Sequence, residues 1–354
     1  MARQNRRDVF NPLEVSTVHC IQRVVRRAML CGFDPVTNRC FDHRRQWIRQ
    51  RLEFLAGQFG IDVLGYAILG NHLHVILRNR PDVVQTWSNE EVARRIWSLF
   101  PKRKDAEGQP LEPRPEELKA LISDQKRLLE YRIRLSTVSW MMRMLAEKIA
   151  RLANKEDDCT GRFWEGRFKC QPLLDEGALL ACAAYVDLNP IRAGIAATPE
   201  GSEFTSIQDR IIAKSFACTA NCGAAPTSGS RRDAWLAPVS LNDQHRPGPD
   251  PSCSGRRASD KGFLPMSADE YINLIDWTGR QRVDGTFGAI PETCAPILER
   301  FGLAGETWCD LVRGFGRLFR RVAGKLDSLA QSAKNQGLRS RQSAGGAALL
   351  EGIR

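Results

Sequence analysis

Two histidines lie two residues apart in the segment 70–76, which reads Gly-Asn-His-Leu-His-Val-Ile. Along a β-strand, side chains alternate between the two faces, so residues i and i+2 point the same way. His72 and His74 would therefore stand side by side, with Leu73 toward the core. Two neutral imidazoles at this spacing can bind one divalent metal ion. Alternatively, both rings line a sheet face and bind nothing. The chain has only five histidines, and both interpretations stay open at this point.

A second candidate segment, 184–190, reads Ala-Tyr-Val-Asp-Leu-Asn-Pro. On a helix, Tyr185 and Asn189 are four residues apart and share a face. They can present a nucleophile and a metal ligand to one site. Alternatively, Tyr185 packs against a sheet and Asn189 only ends the helix before Pro190. Asp187 faces away from Tyr185, and we expect a solvated or salt-bridging carboxylate rather than a base.

The elements that must position these residues follow from hydrophobic periodicity and turn signals. Gly70-Asn71 between two apolar runs predicts a β-hairpin. The order β-α-β-β-α-β-α indicates an α+β fold with a ferredoxin-like antiparallel sheet and helices on one face. Its predicted strands are 15–25, 61–69, 73–78 and 162–174, and its helices are 42–60, 135–153 and 176–188. His19 lies on the first strand and could face the two histidines, in a catalytic or DNA-contacting role.

Basic and aromatic residues alternate in the stretch 162–169. This pattern is typical of proteins that hold a single strand through phosphate contacts and base stacking. Alternatively, the aromatic rings lie in the core and only the charges are outside. The residues that we expect to contact DNA here are Arg162, Trp164, Arg167 and Lys169. Arg44 and Arg45 begin a strongly basic helix, which is either a DNA surface or a solvated face.

The composition limits the class of protein. The 354 residues carry 52 Lys and Arg against 41 Asp and Glu, a net charge of +11 that favours a polyanionic partner. No apolar run is long enough to cross a membrane, and the first residues lack a secretory signal, so we expect no membrane partner. The 11 cysteines form no CxxC pair, which favours reduced thiols in a cytosolic protein.

The distribution of Gly, Pro and Ser predicts four regions. Residues 1–218 would form the first domain, with a polar insertion at about 101–134. Residues 219–262 would be a flexible linker, 263–335 a small α-helical C-terminal domain, and 336–354 a disordered tail. The C-terminal domain carries a basic stripe, so it is either a module for duplex or hairpin DNA or a dimerisation and packing domain.

Taken together, these segments resemble the REP-associated tyrosine transposases, a branch of the single-tyrosine HUH transposase superfamily. The resemblance covers roughly residues 10–210. It is carried by Asn-His-Leu-His at 71–74, Gly-Arg-Phe-Trp-Glu-Gly-Arg-Phe at 161–168, and Tyr-Val-Asp-Leu-Asn-Pro-Ile-Arg-Ala-Gly at 185–194. The insertion and the C-terminal region depart from the minimal members, and the resemblance assigns no role to either.

The resemblance implies a DNA transposase that cleaves and rejoins single-stranded or hairpin DNA through a 5′-phosphotyrosine. Tyr185 would be the nucleophile, and His72, His74 and Asn189 would bind Mg²⁺ or Mn²⁺. It also implies a cytoplasmic, nucleoid-associated bacterial protein. The superfamily includes homodimers and members that act alone. Two alternatives are an HUH nicking endonuclease and a domesticated repeat-binding protein that requires no catalysis.

Overall fold

The structure is a computed structural model that describes residues 13–25, 29–106, 110–220, 232–241, 249–281, 294–335 and 344–351. The strands are β1 (Ser16–Arg23), β2 (Phe33–Asp34), β3 (Arg39–Cys40), β4 (Ile61–Ile68), β5 (His72–Asn79) and β6 (Lys169–Leu173). The helices are α1 (His43–Gln58), α2 (Pro81–Thr86), α3 (Asn89–Leu99), α4 (Pro115–Ser123), α5 (Gln125–Leu135), α6 (Val138–Glu156), α7 (Glu176–Asp187), α8 (Asn189–Arg192), α9 (Ser206–Ala220), α10 (Ala268–Arg280), α11 (Ala295–Arg300), α12 (Gly305–Leu318), α13 (Leu326–Asn335) and α14 (Ala344–Leu350). No helix within these ranges has the length and apolar character needed to cross a bilayer.

Four strands form one antiparallel sheet in the order β4-β5-β1-β6. The predicted hairpin is present as β4 and β5, joined by a turn at Leu69–Asn71. Since β5 lies between β1 and β4 and is antiparallel to both, β1-α1-β4 is a βαβ unit split by an inserted strand. The mixed α+β class with an antiparallel sheet is therefore confirmed.

The two faces of β5 contact different helices, as the alternation of side chains along a strand requires. Leu73, Val75 and Leu77 pack in one core with side chains of α1, α3 and α6. Ile76, from the opposite face, packs in a second core with α7. The expectation of helices on one face only was therefore wrong, because α7 covers the second face.

The second core continues from α7 into the C-terminal helices. It contains buried side chains of α10, α11 and α12, among them Tyr271, Trp308 and Phe315. Part of the segment expected to be a linker is packed as well: Trp235 is fully buried, and Leu236 forms a β-bridge to Val63. The C-terminal region thus shares its core with the sheet instead of packing on itself alone.

The insertion and the expected tail both contain helices. The insertion at 101–134 contains helices α4 and α5, which pack against α3. The expected tail contains α14, whose Ala347 and Leu350 are buried. The rest of the tail and two stretches of the expected linker, 221–231 and 242–248, lie outside the described residues.

Candidate active site

The two histidines of β5 lie on the face that α7 covers. Their ring centroids are 4.8 Å apart. His74 is buried, whereas His72 is partly exposed and its Nδ1 lies 2.6 Å from Oδ1 of Asn71. With Nδ1 donating to that oxygen, Nε2 of His72 keeps its lone pair.

A chain of hydrogen bonds runs from His74 across the sheet. His74 Nδ1 lies 2.8 Å from Nε2 of His19, and Nδ1 of His19 lies 3.0 Å from Oε1 of Gln171. The register explains the second contact, because His19 on β1 is paired directly with Gln171 on β6. Nε2 of Gln171 then donates to the carbonyl oxygen of Phe319, just after α12.

This chain has a single direction, since a carbonyl oxygen can only accept. Gln171 must present its NH₂ group to Phe319 and its oxygen to His19, so Nδ1 of His19 carries the hydrogen. Nε2 of neutral His19 is then an acceptor, and His74 must donate from Nδ1. Nε2 of His74 keeps a lone pair, and the Nδ2 amide group of Asn189 lies 3.4 Å from it.

Burial lowers the pKa of His19 and of His72 to about 4, and it lowers the pKa of His74 well below the ordinary value. The three rings are therefore neutral at pH 7. A neutral imidazole is the form that binds a metal ion.

Tyr185 lies against the same cluster. Its ring centroid is 5.6 Å from that of His74 and 6.2 Å from that of His19, edge-on in both cases. Burial raises the pKa of the phenol, while a hydrogen bond from Asn189 and the positive charge of Arg192 oppose that rise. The guanidinium carbon of Arg192 lies 5.2 Å from the centre of the Tyr185 ring.

Helix α12 closes the side of the site next to Tyr185. The ring of Phe315 lies 5.5 Å from that of Tyr185. A Cβ atom at Gly316 would lie 2.9 Å from the phenol oxygen, so only glycine allows this approach without a shift. Arg192 also donates to the carbonyl oxygens of Val312 and Arg313.

The residues present fit a divalent cation. Nε2 of His72 keeps a lone pair for a ligand, and the lone pair of His74 Nε2 faces the amide of Asn189, at the start of α8, at 3.4 Å. In the described ranges no cluster of three or more His, Cys, Asp or Glu side chains suits a metal ion. If Asn189 were a third ligand, its amide would have to turn so that its oxygen replaces the nitrogen now next to His74, because an amide nitrogen has no lone pair to offer.

The basic stretch 162–169 divides into exposed and buried residues. Arg162, Arg167 and Lys169 are exposed. The prediction for Trp164 was wrong: it is only 8% exposed, belongs to the core, and donates from Nε1 to the carbonyl oxygen of Ala146.

The prediction that Arg44 contacts DNA was also wrong. Its side chain is 1% exposed and forms ion pairs of 2.6 Å with both Glu156 and Asp157 at the end of α6. Arg45 is mostly buried and pairs with Asp42 at 3.0 Å. The guanidinium group of Arg44 holds α1 to α6.

The sequence did not identify Gln171, because its role depends on the register between β1 and β6. Asp187 differs from its expected role too. It is buried and accepts hydrogen bonds from Ser206, the amide of Ile207 and the hydroxyl of Tyr271, so it joins α7 to α9 and α10.

No family model matches this sequence, and no curated protein matches it either. Among solved structures, the chain is similar to a REP-associated tyrosine transposase bound to a REP hairpin, with 11% sequence identity and a TM-score of 0.34. The similarity covers 60% of this chain and 86% of that chain. At this level it carries no argument about function, so the interpretation below depends on the geometry of the site.

Proposed function

We propose that this protein is a metal-dependent enzyme that cleaves and rejoins single-stranded DNA through a covalent bond to Tyr185. The observation that carries the proposal is the phenol of Tyr185 edge-on to His74, with ring centroids 5.6 Å apart, on the face where His72 also lies. A nucleophile and an amide from α7 and α8, lying against two neutral imidazoles of one sheet face, match what phosphodiester transesterification requires.

The proposed reaction needs no further reactant. The phenol oxygen forms a bond to phosphorus and the bond from phosphorus to O3′ breaks. The phenol proton ends on O3′, which leaves a 5′-phosphotyrosine and a free 3′-hydroxyl. Attack by a 3′-hydroxyl of another strand reverses the step and joins the two strands. Because the ester keeps the energy of the broken bond, no nucleotide cofactor is required.

His72, His74 and Asn189 would hold Mg²⁺ or Mn²⁺. When bound, such an ion polarises the scissile phosphate and neutralises charge that develops in the transition state. Arg192 stabilises the phenolate by its positive charge. His19 and Gln171 keep the lone pair of His74 Nε2 turned toward Asn189.

The proposed partners are single-stranded or hairpin DNA, and the exposed Arg162, Arg167 and Lys169 are its proposed phosphate contacts. Their charges agree with the net charge of +11. The proposal includes action as a transposase, either alone or as a homodimer, on the nucleoid in the cytoplasm of a bacterial cell.

The test is a denaturing gel of the full chain with hairpin DNA that carries single-stranded flanks, labelled at either end, with Mn²⁺, Mg²⁺ or EDTA. We expect an adduct only with a metal ion, retaining the label 3′ of the cut. Tyr185→Phe should abolish the adduct, and Tyr131→Phe, the matched control, should keep it. An adduct that persists in Tyr185→Phe would show that the nucleophile is another residue.

A labelled acceptor strand separates the alternatives. Joined product supports a transposase, and cleavage without joining indicates a nicking endonuclease. Tight hairpin binding without any adduct, unchanged in His72→Ala, would indicate a DNA-binding protein whose catalysis is not required.

A further inference from the structure

A large cavity lies on the side of the sheet that α1 and α6 cover, opposite the side that α7 and Tyr185 cover. It has a volume of about 910 Å³, at the upper end of the range for ligand pockets. Its walls come from α1, the end of α3, the 101–134 insertion and α6. The insertion, to which the proposed function gives no role, therefore builds one side of this cavity.

The lining is strongly basic. It contains eight Lys and Arg side chains and one carboxylate, that of Glu147. Glu147 pairs with Arg143 and Arg151. Five of the lining cations have no ion pair among the described residues, namely Arg51, Lys102, Lys104, Arg127 and Lys148. Because like charges repel, so many cations in one lining destabilise the folded chain unless a bound anion neutralises them.

Arg51 is an independent indication of an anionic ligand. Its Nε is buried and has no hydrogen-bond partner in the described part of the chain. Burial lowers its pKa. The side chain is otherwise partly exposed, and its guanidinium carbon lies 4.8 Å from the centre of the Phe54 ring. A buried Nε–H without an acceptor carries a cost that a bound phosphate would remove.

Aromatic rings lie among these charges. Phe100 and Trp140 stack at 5.7 Å with an angle of 29° between their planes, and Phe100 is 47% exposed. The guanidinium of Arg134 lies 5.9 Å from the Trp140 ring. An exposed aromatic ring among cations is what a flexible nucleic-acid strand recognises through its bases and phosphates.

We propose that this cavity, lined by α1, α3, the insertion and α6, binds a single-stranded DNA segment that flanks the substrate. Phosphates contact Arg51, Lys102 and Lys148, and a base stacks on Phe100. The choice of DNA rests on the proposed function. An acidic peptide would neutralise the cations but has no bases to stack on the aromatic rings.

The test measures binding of a fluorescein-labelled single-stranded DNA 20-mer to the full chain by anisotropy over a salt series. The lining variant is Lys102→Glu with Lys148→Glu. The matched control is Lys119→Glu with Lys126→Glu, which makes the same charge change at exposed lysines of α4 and α5 outside the cavity. Loss of two phosphate contacts should make the negative slope of log K against log salt about 1.4 less steep. The control pair should keep the slope of the wild type.

Stacking is tested separately with Phe100→Ala, which should weaken binding about 5-fold or more. An oligonucleotide carrying 5-bromouracil should crosslink on irradiation to a peptide that contains Phe100 or Trp140. Equal effects of the lining and control pairs, or crosslinks only elsewhere, would overturn the proposal. Tighter binding of an RNA of the same sequence would overturn the assignment to DNA.

Failure of this proposal is distinguishable from failure of the proposed function. If the wild type forms the adduct while the lining variant binds DNA normally, only the cavity proposal fails. If no substrate gives an adduct while the lining variant loses binding, the cavity proposal stands and the catalytic one fails.

Discussion

The substitution Gln171→Leu tests the direction of the hydrogen-bond chain that ends at His74. It removes the partner of two groups, Nδ1–H of His19 and the carbonyl oxygen of Phe319. A buried polar group left without a partner costs about 1–3 kcal/mol, so the free energy of unfolding should fall by about 2–6 kcal/mol. Without this series of hydrogen bonds, the ring hydrogen of His74 is no longer held on Nδ1 and can reside on Nε2. Loss of such an outer hydrogen bond typically lowers metal affinity about 10–100-fold.

Two assays follow the two effects. Calorimetric titration with Mn²⁺ measures the affinity, and urea unfolding measures the stability. Gln22→Leu is the matched control: Gln22 is also a buried glutamine, on β1, but it donates to Gly166 outside the chain of hydrogen bonds. This control should lose stability and keep its Mn²⁺ affinity.

The direction of the chain can also be measured without any substitution. In ¹⁵N-histidine-labelled wild type, two-bond nitrogen–proton correlations distinguish the ring nitrogen that carries hydrogen from the bare one. We expect hydrogen on Nδ1 of both His19 and His74. Hydrogen on Nε2 of His74 in the metal-free protein would refute the reasoning, whatever Gln171→Leu does to stability.

Three further predictions concern packing and pH. Gly316→Ala brings a Cβ atom within 2.9 Å of the phenol oxygen of Tyr185, so adduct formation should slow about 10-fold in a gel assay. The control is Gly345→Ala, whose added Cβ meets nothing within 4 Å and should leave the rate unchanged. Asp62 is fully buried and pairs with Arg78 at 2.8 Å; Asp62→Ala should therefore cost about 3–5 kcal/mol in urea unfolding, and a loss below about 1 kcal/mol would contradict this. The pKa of His19 is about 4 in the folded chain, against an ordinary value of 6.5 for a solvated histidine, so below pH 6.5 the unfolded state takes up a proton that the folded state does not. Stability should fall by about 2 kcal/mol between pH 7 and 5 through this group, and urea unfolding of His19→Asn should show a correspondingly smaller dependence on pH.

Local features of the fold could be predicted from the sequence. The β4–β5 hairpin follows from two apolar runs around Gly70-Asn71, and alternation along β5 puts His72 and His74 on one face. The helical spacing of Tyr185 and Asn189 is similarly local. These predictions depend only on residues within a few positions of one another, where the geometry of strands and helices is fixed.

Contacts between distant segments could not be predicted. Arg44 looks like a DNA-binding residue until its carboxylate partners, 112 and 113 residues away, are known. Gln171 needs the register of β6. One signal was present in the sequence: α7 reads Glu-Gly-Ala-Leu-Leu-Ala-Cys-Ala-Ala-Tyr-Val-Asp and is apolar on nearly all sides, which indicates a helix covered on both sides.

The contact between Gln171 and Phe319 also sets a time at which the site is completed during synthesis. The two residues are 148 positions apart, which ribosomes cover in roughly 7 to 30 s at about 5–20 residues per second. For that interval a nascent chain carries the histidines and β6 but lacks the carbonyl group that orients them. A product of premature termination before Phe319 would keep every recognisable motif residue and still lack the complete site.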